Sequence, residues 1–202
     1  MNSVSRLILN NRLPLLIFVF VIFVTGICFG AFAVKTVDYE INQNLFKFFN
    51  GFINNYKDIE YDKANLVRNS VKFNLINIII FWILGSTVIL VFLIPILIFF
   101  KGFVLGFTVG FLISQYDMHG IIISVVSVFP QNIFIIPSFI LAGAVAIAFS
   151  LDIIKNYRGS INLNFEDFID YSLRMGIFTI FLLAGSIIET YITPYLFSLV
   201  VN

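Results

Sequence analysis

From residue 121 to residue 151 the chain carries no charged side chain, a run of 31 positions. As one straight helix this run would be about 46 Å long, well beyond the ~30 Å hydrocarbon core of a bilayer. Four more runs share its character. Residues 13–34 and 75–100 contain no charge, residues 102–116 contain none, and the last run, 176–198, holds one acid, Glu189. A soluble domain carries about 25% charged residues. Here the figure is 11%, with 60% hydrophobic residues and a mean hydropathy of +1.02, so this chain has too little polar surface to face water. The pattern predicts an all-α protein, a polytopic transmembrane helical bundle forming a single integral membrane domain over 1–202.

About 20 apolar residues cross the core, which predicts five spans at about 13–34, 75–98, 102–116, 133–151 and 176–198. Pro95 is expected to kink or end the second, and Lys101 to separate it from the third. Asp117, Met118, His119 and Gly120 form a small polar break. Pro130-Gln131-Asn132 then divides the longest run and leaves 121–130 as a broken or re-entrant half-helix, tolerated at membrane depth only where protein or water surrounds it. Ala31-Phe32-Ala33 has the spacing of a signal-peptidase site. Yet the 22 uncharged residues of 13–34 exceed the roughly 7–15 of a cleavable apolar core, so a retained span is expected.

With the N-terminus cytoplasmic, residues 35–72 form an external loop, 152–174 lie inside and the C-terminus lies outside. The Lys and Arg residues then divide six against six, which sets no direction by the positive-inside rule. Within the loop, Ile41, Leu45, Phe48, Phe49, Phe52, Ile53 and Tyr56 recur at helical spacing, the mark of an amphipathic helix. Its apolar face must be covered by lipid, by the bundle or by a partner. Phe48, Phe49, Phe52 and Tyr56 are the candidate external docking face. A second amphipathic stretch carries Phe165, Phe168 and Ile169 beside Glu166, Asp167 and Asp170.

Constellations for chemistry are sparse. One histidine, His119, forbids a two-histidine zinc motif, and one cysteine, Cys28, forbids an intrachain disulfide or a thiolate cluster. There is no phosphate-binding loop and no nucleophile elbow. A net charge of +1 gives no basis for nucleic-acid binding. Neither a catalytic site, a metal site nor a cofactor is expected. The clearest positive signal is small residues. Gly102, Gly106, Gly110 and Ser114 recur every four positions, Gly26 and Gly30 repeat the spacing in the first span, and Ser138, Ala142, Ala146 and Ser150 do so in the fourth. Such stripes let helix backbones approach closely in lipid, where dispersion drives packing.

Two polar features inside the runs need partners. Gln131 and Asn132 follow Pro130 at the helix break and suit either packing or binding. Glu189 is the only acid in a spanning run, with Thr193 and Pro194 just beyond it. It is expected to be paired, to be protonated or to reach water near the outer face. Because the other expected spans hold no Lys or Arg, its internal donors would be amides and hydroxyls, with the carboxamides of Gln131 and Asn132 the first candidates. The same features suit a substrate path, so a small-solute transporter or permease component stands as the alternative function.

These segments also carry a resemblance. Phe100-Lys101-Gly102-Phe103-Val104-Leu105-Gly106-Phe107-Thr108-Val109-Gly110-Phe111, then Phe129-Pro130-Gln131-Asn132 with Pro137, then Glu189-Thr190-Tyr191-Ile192-Thr193-Pro194, resemble the stage II sporulation protein M family. Length, the order of hydrophobic runs and the loop after the first span extend the similarity over nearly the whole chain. The resemblance implies a non-catalytic scaffold in a bacterial cell membrane, at the mother-cell membrane and septum of a sporulating cell. It further implies that the scaffold localises the peptidoglycan-degrading stage II sporulation proteins D and P during engulfment.

Overall fold

The computed structural model describes residues 12–55, 63–159 and 163–201. Every regular element in it is helical. Helix α1 is Leu13–Ala33, followed by a single 3-10 turn at Val34–Thr36; α2 is Tyr39–Asn55, α3 is Lys63–Ser86, α4 is Leu93–Tyr157 and α5 is Phe165–Val201. Four of them, α1, α3, α4 and α5, are long and apolar enough to cross a membrane. The protein is a membrane-embedded helical bundle.

At 65 residues, α4 would be about 98 Å long if straight. It is not straight. Asp117 has φ 49° and ψ −124°, and a β-carbon on Gly120 would collide with the backbone of Leu112. Residues eight apart in one helix lie ~12 Å apart, so the chain doubles back at Asp117. The polar break at 117–120 is therefore a hairpin corner, and α4 supplies a first arm, 93–116, and a second arm, 118–157. With α1, α3 and α5 these make five membrane-length segments. Arg12 is ion-paired to Asp152, which puts the start of α1 and the end of the second arm on one side, the Arg12 side. The hairpin corner lies on the other, the Tyr116 side.

The boundary between the second and third segments differs from the sequence expectation. The chain reverses at 87–92, not at Lys101, and a single helix runs through Lys101. The reason is local. Thr87 bonds the Ile83 and Leu84 carbonyls with its hydroxyl (2.8 and 3.1 Å), and Ser150 donates to the Thr87 carbonyl at 3.2 Å. Pro95 occupies the first turn of α4, where a missing N–H costs nothing because the first four amides have no helical partner. It starts a helix where an end was expected. The turn itself contains only apolar residues after Thr87, so nothing in it marked an interruption. Lys63, Arg68 and Lys72, placed in the external loop by sequence, belong to α3.

Nor is there a separate half-helix at 121–130. Pro130 and Pro137 both lie inside a continuous helical second arm. That arm must nevertheless bow. Lys101 approaches Phe139, and Leu112 approaches Gly120, yet 11 residues separate the first-arm pair and 19 the second-arm pair. At 1.5 Å per residue this is about 16 Å against 28 Å. The two prolines, each removing a helical hydrogen bond, are the natural sites of the bend.

The core sits where α3, both arms of α4 and α5 meet. Phe81 and Phe139 rings lie 4.6 Å apart, Phe149 stacks on Tyr171 at 4.2 Å, and Ile94, Ile98 and Leu182 are fully enclosed. Asn164 opens α5 by donating its backbone N–H to Asp167 (2.8 Å), the acidic first turn serving as a cap.

Candidate functional site

The first arm of α4 lies along α1 with both chains running the same way. Gly26 meets the Phe99 carbonyl and Gly30 that of Phe103; in return, Gly102 meets Phe23 and Gly106 meets Ile27. A β-carbon at any of the four would overlap a backbone oxygen of the partner helix. Gly110 is looser, its absent β-carbon 3.2 Å from Ala31 Cα. Ser114, the last member of the sequence stripe, is exposed, donates to the Phe111 carbonyl (2.9 Å) and accepts from the Gln115 amide (3.5 Å), both in its own helix, so it is not part of this interface. The stripe of Ser138, Ala142, Ala146 and Ser150 is buried, with Ala146 against Gly85 of α3.

A second interface is built from hydrogen bonds. Helices α3 and α5 run antiparallel, and polar pairs form rungs between them. Ser70 donates to the Glu189 carboxylate, Asn74 donates its amide to Ser186 (2.8 Å), and the Trp82 indole donates to Ser172 (3.0 Å). Tyr171 then donates to the Phe81 and Trp82 carbonyls at 3.1 and 3.0 Å. Between the Asn74 and Trp82 rungs the seam is closed by Ile78, Phe81, Met175, Leu182 and Phe139, all buried.

At the Ser70 rung sits the most informative residue that sequence reading misplaced. Lys101 lies eight residues into the first arm, about 12 Å from its start, inside a span and not at its edge. Its ammonium is 5.6 Å from the centroid of Phe73 and 5.8 Å from that of Phe139, within the range of cation–π attraction. The Glu189 carboxylate attracts it from α5. The direct ion pairs among the described residues are Arg12–Asp152, Lys155–Asp152 and Arg174–Asp170, so Lys101 and Glu189 form no direct ion pair. A lysine at the centre of a spanning helix costs about 2.5–3.5 kcal/mol on insertion scales. Two aromatic faces and an acid offset part of that cost.

This arrangement corrects the expected role of Gln131 and Asn132. Neither reaches Glu189. Gln131 accepts from Thr193 (2.7 Å), and Asn132 donates back to the Val128 carbonyl (2.7 Å) in its own helix. The end of α5 is still held against the bowed arm beyond Pro130, through Thr193 and through Gly185, which packs on Ile135 and the Gln131 carbonyl. Pro194 continues within α5, and its side chain lies outside the described residues.

On the Tyr116 side, α2 is fastened to the corner of α4. Gln115 donates to Asn42 (3.0 Å), Tyr116 donates to Asn50, and the Tyr116 ring meets Phe46 and Phe49 at 5.9 and 6.1 Å. The expected docking residues do not share one face. Phe49 turns toward Tyr116, whereas Phe48 is 77% exposed, in company with Tyr39 and Ile41. The side chain of Phe52 and the whole of Tyr56 lie outside the described residues. The contribution of Gln115 and Tyr116 was hidden by the reading of 102–116 as a plain span, although two polar side chains at a helix end are a legible sign of a docking site.

Compared with known proteins, residues 19–194 match the family model described as Stage II sporulation protein M. No curated protein and no solved structure matches the chain.

Proposed function

The chain belongs to the stage II sporulation protein M family, and from that premise we propose that it is a non-catalytic membrane scaffold in endospore formation. In this reading it anchors the peptidoglycan-degrading stage II sporulation proteins D and P at the mother-cell membrane and septum during engulfment. The observation that carries the reading is the placement of α2. Outside the bundle, one face of this amphipathic helix is pinned to the corner of α4 through Asn42, Phe46, Phe49 and Asn50. The other presents Tyr39, Ile41 and Phe48. A rigidly mounted apolar face is what a docking platform needs, since little ordering entropy is lost when a partner binds.

Replacing Ile41 and Phe48 with Ser tests this. The variant is expected to accumulate in the membrane as the parent does and to lose co-purification with the two partners. Sporulating cells carrying it should stall in engulfment when viewed with a membrane dye. Undiminished co-purification would remove α2 as the docking face.

The competing reading, a small-solute transporter or permease component, is favoured by Lys101 and Glu189, because intramembrane charges commonly mark a substrate path. The apolar closure at Ile78, Phe81, Met175 and Leu182 counts against a path along the same seam. Solute uptake by vesicles holding this chain alone would establish transport and displace the scaffold reading.

A further inference from the structure

Helix α3 has two faces of different character. Asn74, Ile78, Phe81, Leu84 and Gly85 are buried against the bundle. On the opposite side Arg68, Lys72, Ile76, Ile79 and Ile83 are all exposed, at steps of four, four, three and four residues. These steps keep them on a single stripe. The stripe faces lipid, yet its upper end carries two cations.

Their depth is set by the helix. The span of α3 is Val67–Ser86, and the chain turns back directly after Ser86 on the Arg12 side. A core ~30 Å thick takes about 20 residues, which puts the opposite boundary near Val67. Arg68 therefore lies at that boundary. Lys72 is one turn deeper, about 6 Å, and its four-carbon stem must rise toward Arg68 to reach the headgroup layer. Among the described residues neither cation has an ion-pair or hydrogen-bond partner; the ion pairs there lie elsewhere. Glu189, the acid next to α3, engages Ser70, which points about 200° away from Lys72 around the helix.

We propose that Arg68 and Lys72 together hold the phosphate of an anionic phospholipid in the leaflet on the Tyr116 side, with its acyl chain lying along Ile76 and Ile79. Charge complementarity selects the headgroup. Two cations are balanced by a lipid of net negative charge, whereas a zwitterionic lipid brings its own cationic group into the same place. The guanidinium supplies a planar fork for phosphate oxygens, and the ammonium supplies a point charge. The site is built from residues of α3 alone.

Native mass spectrometry of the purified full chain, titrated with phosphatidylglycerol or phosphatidylcholine of identical acyl chains, tests this. Each juxtamembrane cation contributes about fivefold to anionic-lipid binding, so the parent should prefer phosphatidylglycerol by roughly five- to twenty-five-fold. The preference should fall stepwise in Arg68→Gln and Lys72→Gln and vanish in the double variant. It should persist in Lys35→Gln, which removes an exposed cation elsewhere on the same side. The single variants keep the test decisive if the double variant does not fold. Equal retention of both lipids by the parent, or an undiminished preference in both single variants, would overturn the site. Displacement of phosphatidylglycerol by millimolar inorganic phosphate would also overturn it, because the ligand would then be a free anion.

Discussion

The two helix interfaces that build this bundle work by opposite means. Between α1 and the first arm of α4 there is almost no chemistry: four glycines bring backbones together, and dispersion across a smooth surface supplies the attraction. Between α3 and α5, Ser70, Asn74, Trp82, Ser172, Ser186 and Glu189 link the two helices with hydrogen bonds. The first interface is intolerant of added volume and indifferent to polarity. The second depends on donors meeting acceptors. One protein thus separates the two ways of holding helices together in lipid, and each can be broken without touching the other.

The largest effect belongs to the glycine interface. At Gly106 a β-carbon would already overlap the Ile27 backbone, so Gly106→Leu must drive the helices apart. The penalty should reach or exceed the ~1–3 kcal/mol of ordinary overpacking and appear as loss of folded, detergent-extractable protein. Gly176, also in a spanning helix, has nothing within 4 Å of the position a β-carbon would take. Gly176→Leu should therefore leave the yield and the thermal transition of the purified protein unchanged. Equal damage from both substitutions would mean that glycine serves backbone freedom here, not close approach.

Legibility in sequence follows the same division. The glycine interface was readable because its signal is periodic: four-residue spacing in two segments states a packing face before any partner is known. Ser114 shows where that signal overreaches, since a small residue at the right spacing can fall past the end of the contact. The polar interface was not readable. Ser70 and Asn74 sit in a segment with Arg68 and Lys72, whose charges made 63–72 look like loop, and the helix start was lost with them. Lys101 reads as a boundary in sequence because a lone cation between apolar runs usually is one. Its aromatic neighbours, Phe73 and Phe139, lie 28 and 38 residues away in the chain, so the compensation that keeps it inside the membrane exists only in three dimensions. The turn at 87–92 escaped for a related reason: Thr87 bonds the last carbonyls of α3 and Ser150 bonds the Thr87 carbonyl, and the turn needs neither Gly nor Pro.

An intermediate effect is expected at the charges. Glu189→Leu removes the acceptor of Ser70 and leaves Lys101 facing aromatic rings alone, whereas Glu189→Gln retains the hydrogen bond. Loss of folded protein should follow the order Leu, then Gln, then parent. Lys101→Met should be damaging in the parent and much less so beside Glu189→Gln. The coupling between the two sites, read from a double-mutant cycle in thermal stability, should fall in the range of about 0.5–3 kcal/mol seen for interacting neighbours. Strict additivity of the two substitutions would mean that the charges do not sense each other, and the polar interface would then consist of the hydroxyl and amide rungs alone.

The smallest effect is expected at a single rung. Asn74 is buried and donates to Ser186, which itself donates to the Leu182 carbonyl at 3.1 Å. Interhelical hydrogen bonds in membrane proteins average ~0.6 kcal/mol, because a separated polar side chain finds other partners within the bilayer. Ser186 has such a substitute in Leu182, so Asn74→Ala strands no donor on α5. The loss should be of order 0.6 kcal/mol plus a packing share for the truncated side chain. Ser186→Ala removes the acceptor and leaves the Asn74 amide buried without a partner, for which the cost is about 1–3 kcal/mol. The two substitutions delete the same bond, and Ser186→Ala should be the more harmful by thermal unfolding in detergent. If Asn74→Ala proves the worse, the rung acts through the volume of the asparagine, and the contrast between a shape-dependent and a bond-dependent interface fails at this position.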